Sequence, residues 1–115
     1  MSQRTPELIV YVDVDDTLVR SMSHKRVPIP RVVEHVRALS DSGATLYCWS
    51  SAGASYARES VEELGIAEYF SGFLPKPNVF IDDQSPESWR RSVHVHPLSI
   101  ADRTVEDYLR ELNEK

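Results

Sequence analysis

Apolar and polar positions along the chain switch between a strand-like and a helix-like period. Leu8, Ile9, Val10, Tyr11 and Val12 form an unbroken apolar run that passes straight into Asp13-Val14-Asp15-Asp16-Thr17-Leu18. Branched and aromatic residues in succession predict a strand buried on both faces. Residues 19–29 are polar and basic, with Arg20, His24, Lys25 and Arg26, and predict a loop or small flap. Pro30 suits a first helical turn, and Val32, Val33, Val36 and Leu39 then recur at helical spacing until Ser42-Gly43 stops them. A second strand follows over 44–49, closing in Ser50-Ser51-Ala52-Gly53, and Tyr56, Ala57, Val61 and Leu64 stripe a second helix that Gly65 ends.

The second half repeats the alternation with weaker boundaries. Gly72-Phe73-Leu74-Pro75 predicts a brief third strand ahead of Lys76-Pro77. Asn78-Val79-Phe80-Ile81 predicts a fourth, running into Asp82-Asp83, and Ser85-Pro86-Glu87 has the composition of a helix start. Ser92-Val93-His94-Val95 alternates like a fifth strand, and Val105, Tyr108, Leu109 and Leu112 stripe a last helix. Strands alternating with helices predict an α/β fold: a mostly parallel five-stranded sheet with right-handed crossovers and helices on both faces. Loops that follow parallel strands share one rim, so the acidic ends of the first and fourth strands, the hydroxyls after the second and Lys76 before the fourth are expected to converge.

Composition narrows the class without changing this picture. The 115 residues suit one domain, 1–115, and a hydrophobic content of 41% with 27% charged residues is that of a globular protein rather than a disordered or membrane-spanning one. A net charge of −5 argues against a dedicated non-specific nucleic-acid surface. Cys48, the single cysteine, lies in an apolar run and reads as a buried small hydrophobe. Met1-Ser2-Gln3-Arg4-Thr5-Pro6 is polar and carries no signal-peptide core, so cytoplasmic residence is expected.

Three carboxylates within four residues repel one another, and a strand end that gathers them calls for a positive partner. A hard divalent cation, Mg²⁺ above all, takes oxygen ligands of this kind. A solvated acidic turn with no metal is the competing reading. Ser50 suits a phosphate contact or a cap of the second helix, Ser51 is the alternative hydroxyl, and Lys76 taken alone is an ordinary loop lysine. His94 and His96 alternate on one strand but have no third partner for a metal. Trp49 and Trp89 read as core and rim packing.

Taken together, these residues resemble the haloacid dehalogenase (HAD) superfamily. Asp13-Val14-Asp15-Asp16-Thr17-Leu18 is similar to its first motif, Ser50 at the end of the second strand to its second, Lys76 to its third, and Val79-Phe80-Ile81-Asp82-Asp83 to the acidic-pair form of its fourth. The match covers about residues 8–89, with the four motifs in order. The segment 81–86 is also similar to the version found in phosphatases that act on the polymerase carboxy-terminal tail. The resemblance implies a Rossmann-like, doubly wound core and Mg²⁺-dependent phosphomonoester hydrolysis through an aspartyl-phosphate. Asp13 would be the nucleophile and Asp15 the general acid and base. Ser50, Ser51, Thr17 and Lys76 would hold the phosphoryl group or brace the loop. Asp13, the Asp15 carbonyl and Asp83 would ligate Mg²⁺, with Asp82 supporting. Asp16 stands where many relatives have glycine.

The chain has no room for the cap domain of larger relatives. An uncapped site implies a bulky, macromolecular phosphorylated substrate or a second copy of the chain acting as lid, and Arg20, Lys25, Arg26 and Arg31 are placed to border its entrance. Two rival readings remain: a receiver-like module that carries a phosphoryl group, and a HAD-like protein that binds a phosphorylated partner without turnover. Receivers place the phosphoacceptor after the third strand, and here no aspartate ends the second or third.

Overall fold

The computed structural model describes residues 7–115; Met1-Ser2-Gln3-Arg4-Thr5-Pro6, expected to lack a signal-peptide core, lies outside the described residues. The chain is an α/β fold built on three parallel strands, β1 (Ile9–Asp13), β4 (Thr45–Ser50) and β5 (Phe70–Pro75), in the order β1-β4-β5. Between β1 and β4 come an antiparallel hairpin, β2 (Val19–Met22) and β3 (Lys25–Pro28), and helix α1 (Pro30–Asp41). Helix α2 (Ala54–Glu63) joins β4 to β5, and α3 (Val105–Asn113) closes the chain. Among the described residues no helix is long and apolar enough to cross a membrane.

Burial alternates along β4 with period two: Leu46, Cys48 and Ser50 are buried, whereas Thr45, Tyr47 and Trp49 are partly exposed. Both crossovers step the same way across the sheet, and right-handed connections that do so put their helices on one face. The core lies there, with Leu46 and Cys48 of the sheet against Val32, Val36 and Leu39 of α1 and Ala57 and Val61 of α2. Helix α3 joins this side, where the Tyr108 hydroxyl meets His35 Nε2 at 2.8 Å; Thr104 and Asp107 cap it by exchanging hydrogen bonds. On the other face Ile9 and Tyr11 are 55% and 46% exposed, and the Tyr11 ring packs on Tyr47 and edge-on to Trp49. Gly72 lets the Tyr47 ring lie close over the β5 backbone, since an added Cβ there would come within 3.1 Å of the ring and press it aside.

The expected five-stranded sheet with helices on both faces is therefore corrected to three parallel strands wound in one direction. The stretch expected as a loop or flap, 19–29, is the β2–β3 hairpin, turning at Ser23-His24. The expected fourth and fifth strands, 78–81 and 92–95, are irregular, and the helix start at Ser85-Pro86-Glu87 goes no further than a single 3₁₀ turn over Pro86–Ser88. Chain reach explains the missing fourth strand. Only Lys76 and Pro77 separate β5 from Asn78, whereas a parallel neighbour for β1 would have to start at the opposite end of the sheet. Such a crossover needs about a dozen residues, and two span only about 7 Å. Val79 and Ile81 stay 79% and 98% exposed, and Phe80, itself half exposed, meets Trp89 edge-on with 6.3 Å between ring centres.

Two measurements check this arrangement. Leu46→Ala should lower unfolding free energy by about 2–5 kcal/mol in a urea titration, whereas Ile81→Ser should change it by no more than about 0.5 kcal/mol; a loss at Ile81 as large as at Leu46 would restore the fourth strand. Burial, with the charge of Asp13 adding to it, pushes the Cys48 thiol up to about 12. Iodoacetamide at pH 8 should accordingly leave native Cys48 unmodified and label it on unfolding, read by mass spectrometry.

Candidate active site at the carboxyl ends of the strands

The parallel ladder brings the candidate residues to one rim. Asp13 pairs in register with Trp49, and Trp49 with Leu74, while Ser50 pairs with Pro75. Asp13, Trp49 and Leu74 therefore share a face, and Lys76, two residues past Leu74, returns to it. The Lys76 side chain crosses the Trp49 ring, with Nζ 5.6 Å from the ring centre, and ends 3.2 Å from Asp13 Oδ1. Thr17 Oγ1 donates to Asp13 Oδ2 at 3.3 Å, so each carboxylate oxygen has a donor. The pair is about two-thirds buried, at 34% and 31% side-chain exposure, and a ligand arriving at the rim can still reach it.

The loop after β1 is wound tightly. The Val14 carbonyl accepts from the amides of Thr17, Leu18 and Val19, and the Asp16 amide donates to the Val19 carbonyl at 2.7 Å. This turn sets Asp16 at φ +60°, the left-handed region that glycine enters freely and aspartate tolerates. Asp16 itself points to solvent. Asp15 leaves the loop toward α2, where Tyr56 Oη donates to its Oδ1 at 2.7 Å. Burial raises the Tyr56 phenol above its ordinary range, and the bond and charge of Asp15 add to this, so the hydroxyl remains a donor at neutral pH.

Ser50 is buried, its hydroxyl accepting from the Ala52 amide at 3.0 Å and its carbonyl from the Lys76 and Gly53 amides at 2.9 and 3.1 Å. It is not the cap of α2: that position belongs to Gly53, at φ +112° and without a side-chain cap. Ser50 instead ties the end of β4 to the end of β5 and fixes where Lys76 begins. Ser51 is exposed in the turn beside it.

Asp82 and Asp83 are not drawn into this cluster. Both are exposed, and Asp82 Oδ1 is turned back on its own chain to accept from the Gln84 amide at 2.9 Å. Among the described residues no three His, Cys, Asp or Glu side chains form a group that could hold a metal ion. The hard oxygens of Asp13, the Asp15 carbonyl and Asp83 match Mg²⁺ in chemistry.

Of the four basic residues expected at the entrance, Arg26 lies against α2. Its guanidinium donates to Tyr56 Oη at 2.8 Å, to Ser60 Oγ at 3.1 Å and to Glu63 Oε2 at 2.8 Å. Arg20 and Arg31 share a shallow cleft of about 220 Å³ with Asp16, Ile29, His96 and Leu98, and neither makes an ion pair among the described residues. The contacts of Arg26 and Tyr56 were not legible from sequence, where Tyr56 counts only as a member of the apolar stripe of α2. Comparison of the chain with family models, curated proteins and solved structures finds no match.

The left-handed turn yields a direct check. Asp16→Gly should leave stability within about 0.5 kcal/mol of the parent, while the β-branched Asp16→Val should lose about 1–2 kcal/mol to backbone strain, both read from urea unfolding.

Proposed function

We propose that the chain is a Mg²⁺-dependent phosphomonoester hydrolase that works through an aspartyl-phosphate on Asp13. The observation that carries the reading is the Asp13–Lys76 pair at 3.2 Å on the rim of a parallel sheet, with Thr17 on the other carboxylate oxygen. The resemblance of the motifs around Asp13, Ser50 and Lys76 to the HAD superfamily supports it. A carboxylate approaching a phosphate dianion is repelled, and a fixed cation beside it offsets that repulsion as charge moves onto the phosphoryl oxygens.

In this reading an Asp13 oxygen attacks phosphorus in line, the bond from phosphorus to the leaving oxygen breaks, and Asp15 gives that oxygen its proton. Asp15, now ionised, takes a proton from a water whose oxygen attacks the phosphorus. The bond between Asp13 and phosphorus breaks, phosphate leaves, and both carboxyl groups are back in their starting forms. Lys76 accompanies the phosphoryl group through both steps. The first amides of α2, which opens just past the carboxyl end of β4 with no acidic residue in its first turn, favour an anion on the same rim. Mg²⁺ held by Asp13, the Asp15 carbonyl and Asp83 would add positive charge at the phosphoryl oxygens.

A second reading has one observation behind it. With Asp82 and Asp83 apart from Asp13, the site would hold a phosphorylated partner without turning it over. The uncapped rim suits a macromolecular phosphoester in both readings.

Phosphate release from a panel of phosphomonoesters and a phosphopeptide, with and without Mg²⁺, separates the two. Release that needs Mg²⁺ is expected, with none from Asp13→Asn and a loss of about 10²–10³-fold in kcat for Lys76→Met. Binding of the phosphopeptide with no release from any substrate would favour the binder.

A further inference from the structure

The bond between Tyr56 and Asp15 joins residues far apart in sequence, and it stands at the centre of a longer chain of contacts. Arg26 on β3 donates to Tyr56 Oη at 2.8 Å, and Tyr56 Oη is 2.7 Å from Asp15 Oδ1. A guanidinium has only donors and an ionised carboxylate only acceptors, so the one hydroxyl hydrogen of Tyr56 has to point at Asp15. Three further contacts hold Arg26: Ser60 Oγ at 3.1 Å, Glu63 Oε2 at 2.8 Å, and the Tyr56 ring, 5.3 Å from its guanidinium carbon. Ser60 is buried and the Arg26 side chain is 27% exposed, so the guanidinium has little freedom.

We infer that Tyr56, held by Arg26, is a positioning residue that fixes the Asp15 carboxyl group for proton transfer. The inference rests on the phosphatase reading above. With Oδ1 taken by Tyr56, the carboxyl group cannot turn freely about its terminal torsion. Oδ2 has no partner among the described residues and is the oxygen left to carry the proton. The chain of contacts also ties the β2–β3 hairpin to α2, so the order of the hairpin and the aim of Asp15 are set together. Tyr56 touches neither substrate nor phosphorus in this role.

The test uses the dependence of rate on the leaving group. An alkyl leaving oxygen needs a proton as the ester bond breaks, whereas 4-nitrophenolate departs without one. The kcat/KM value covers steps up to departure of the leaving group. Tyr56→Phe keeps the ring and removes the hydroxyl. It should lower kcat/KM for an alkyl phosphate by about tenfold or more, and leave kcat/KM for 4-nitrophenyl phosphate within about twofold. Arg26→Met should move the same ratio in the same direction and Arg26→Lys should recover part of it, which keeps the test open should one variant fold poorly by circular dichroism.

Equal losses on both esters would reduce Tyr56 to a structural clasp and overturn the inference, as would an unchanged ratio in well-folded Tyr56→Phe and Arg26→Met. Absence of Asp13-dependent release by the parent protein from any ester would overturn the phosphatase reading itself, and the positioning role with it. Active parent protein with an unchanged ratio overturns the positioning role alone.

Discussion

The register of the parallel ladder is the constraint on which the rest of the structure depends. Because Asp13, Trp49 and Leu74 lie in line, the three strands end together and Lys76 emerges one residue past Pro75 on the face that carries Asp13. A one-residue slip of β5 would turn Lys76 to the helix face and break the ion pair. Two features hold the register. Tyr47 fills the space left by Gly72, and the Ser50 carbonyl takes the Lys76 amide as the last bond between the ends of β4 and β5.

Around that frame most of the polar groups at the rim have partners. Both Asp13 oxygens have donors, one Asp15 oxygen is held by Tyr56, and the described residues contain no buried side-chain polar atom without a partner. Polar networks in partly buried sites are stable only when their members are satisfied. The cost of gathering Asp13, Asp15 and Asp16 is met differently for each. Lys76 neutralises Asp13, a neutral donor backed by a cation faces Asp15, and water solvates Asp16.

The sheet is unusual in being covered on one side. Parallel sheets are generally buried on both faces, yet Ile9 and Tyr11 remain open to solvent. Winding in a single direction produces this, since neither crossover carries a helix to the far side. The aromatic stripe of Tyr11, Tyr47 and Trp49 is the outcome on that face. Its rings cover one another where a helix would otherwise lie, and Trp49 supplies the surface along which Lys76 reaches Asp13.

Sequence alone determined the elements whose signals are local. The apolar run into Asp13, the stripe of α1, the second strand ending at Ser50 and the stripe of α2 each follow from periodicity and from flanking glycine and proline, and each is found in place. The rim position of Asp13 and Lys76 followed from the βαβ order. Tertiary structure decided the rest. Residues 78–81 have the composition of a buried strand, but composition does not record that two residues are too short a bridge to the far side of β1. The hairpin over 19–28 is hard to read because most of its residues are polar and its pairing is decided by Ile29 bonding back to Leu18 and by Arg26 docking on α2. The partners of Asp15 come from β3 and α2, and only packing brings them together. Local propensity is set within a few residues, whereas chain reach, register and side-chain contact depend on the path of the whole backbone.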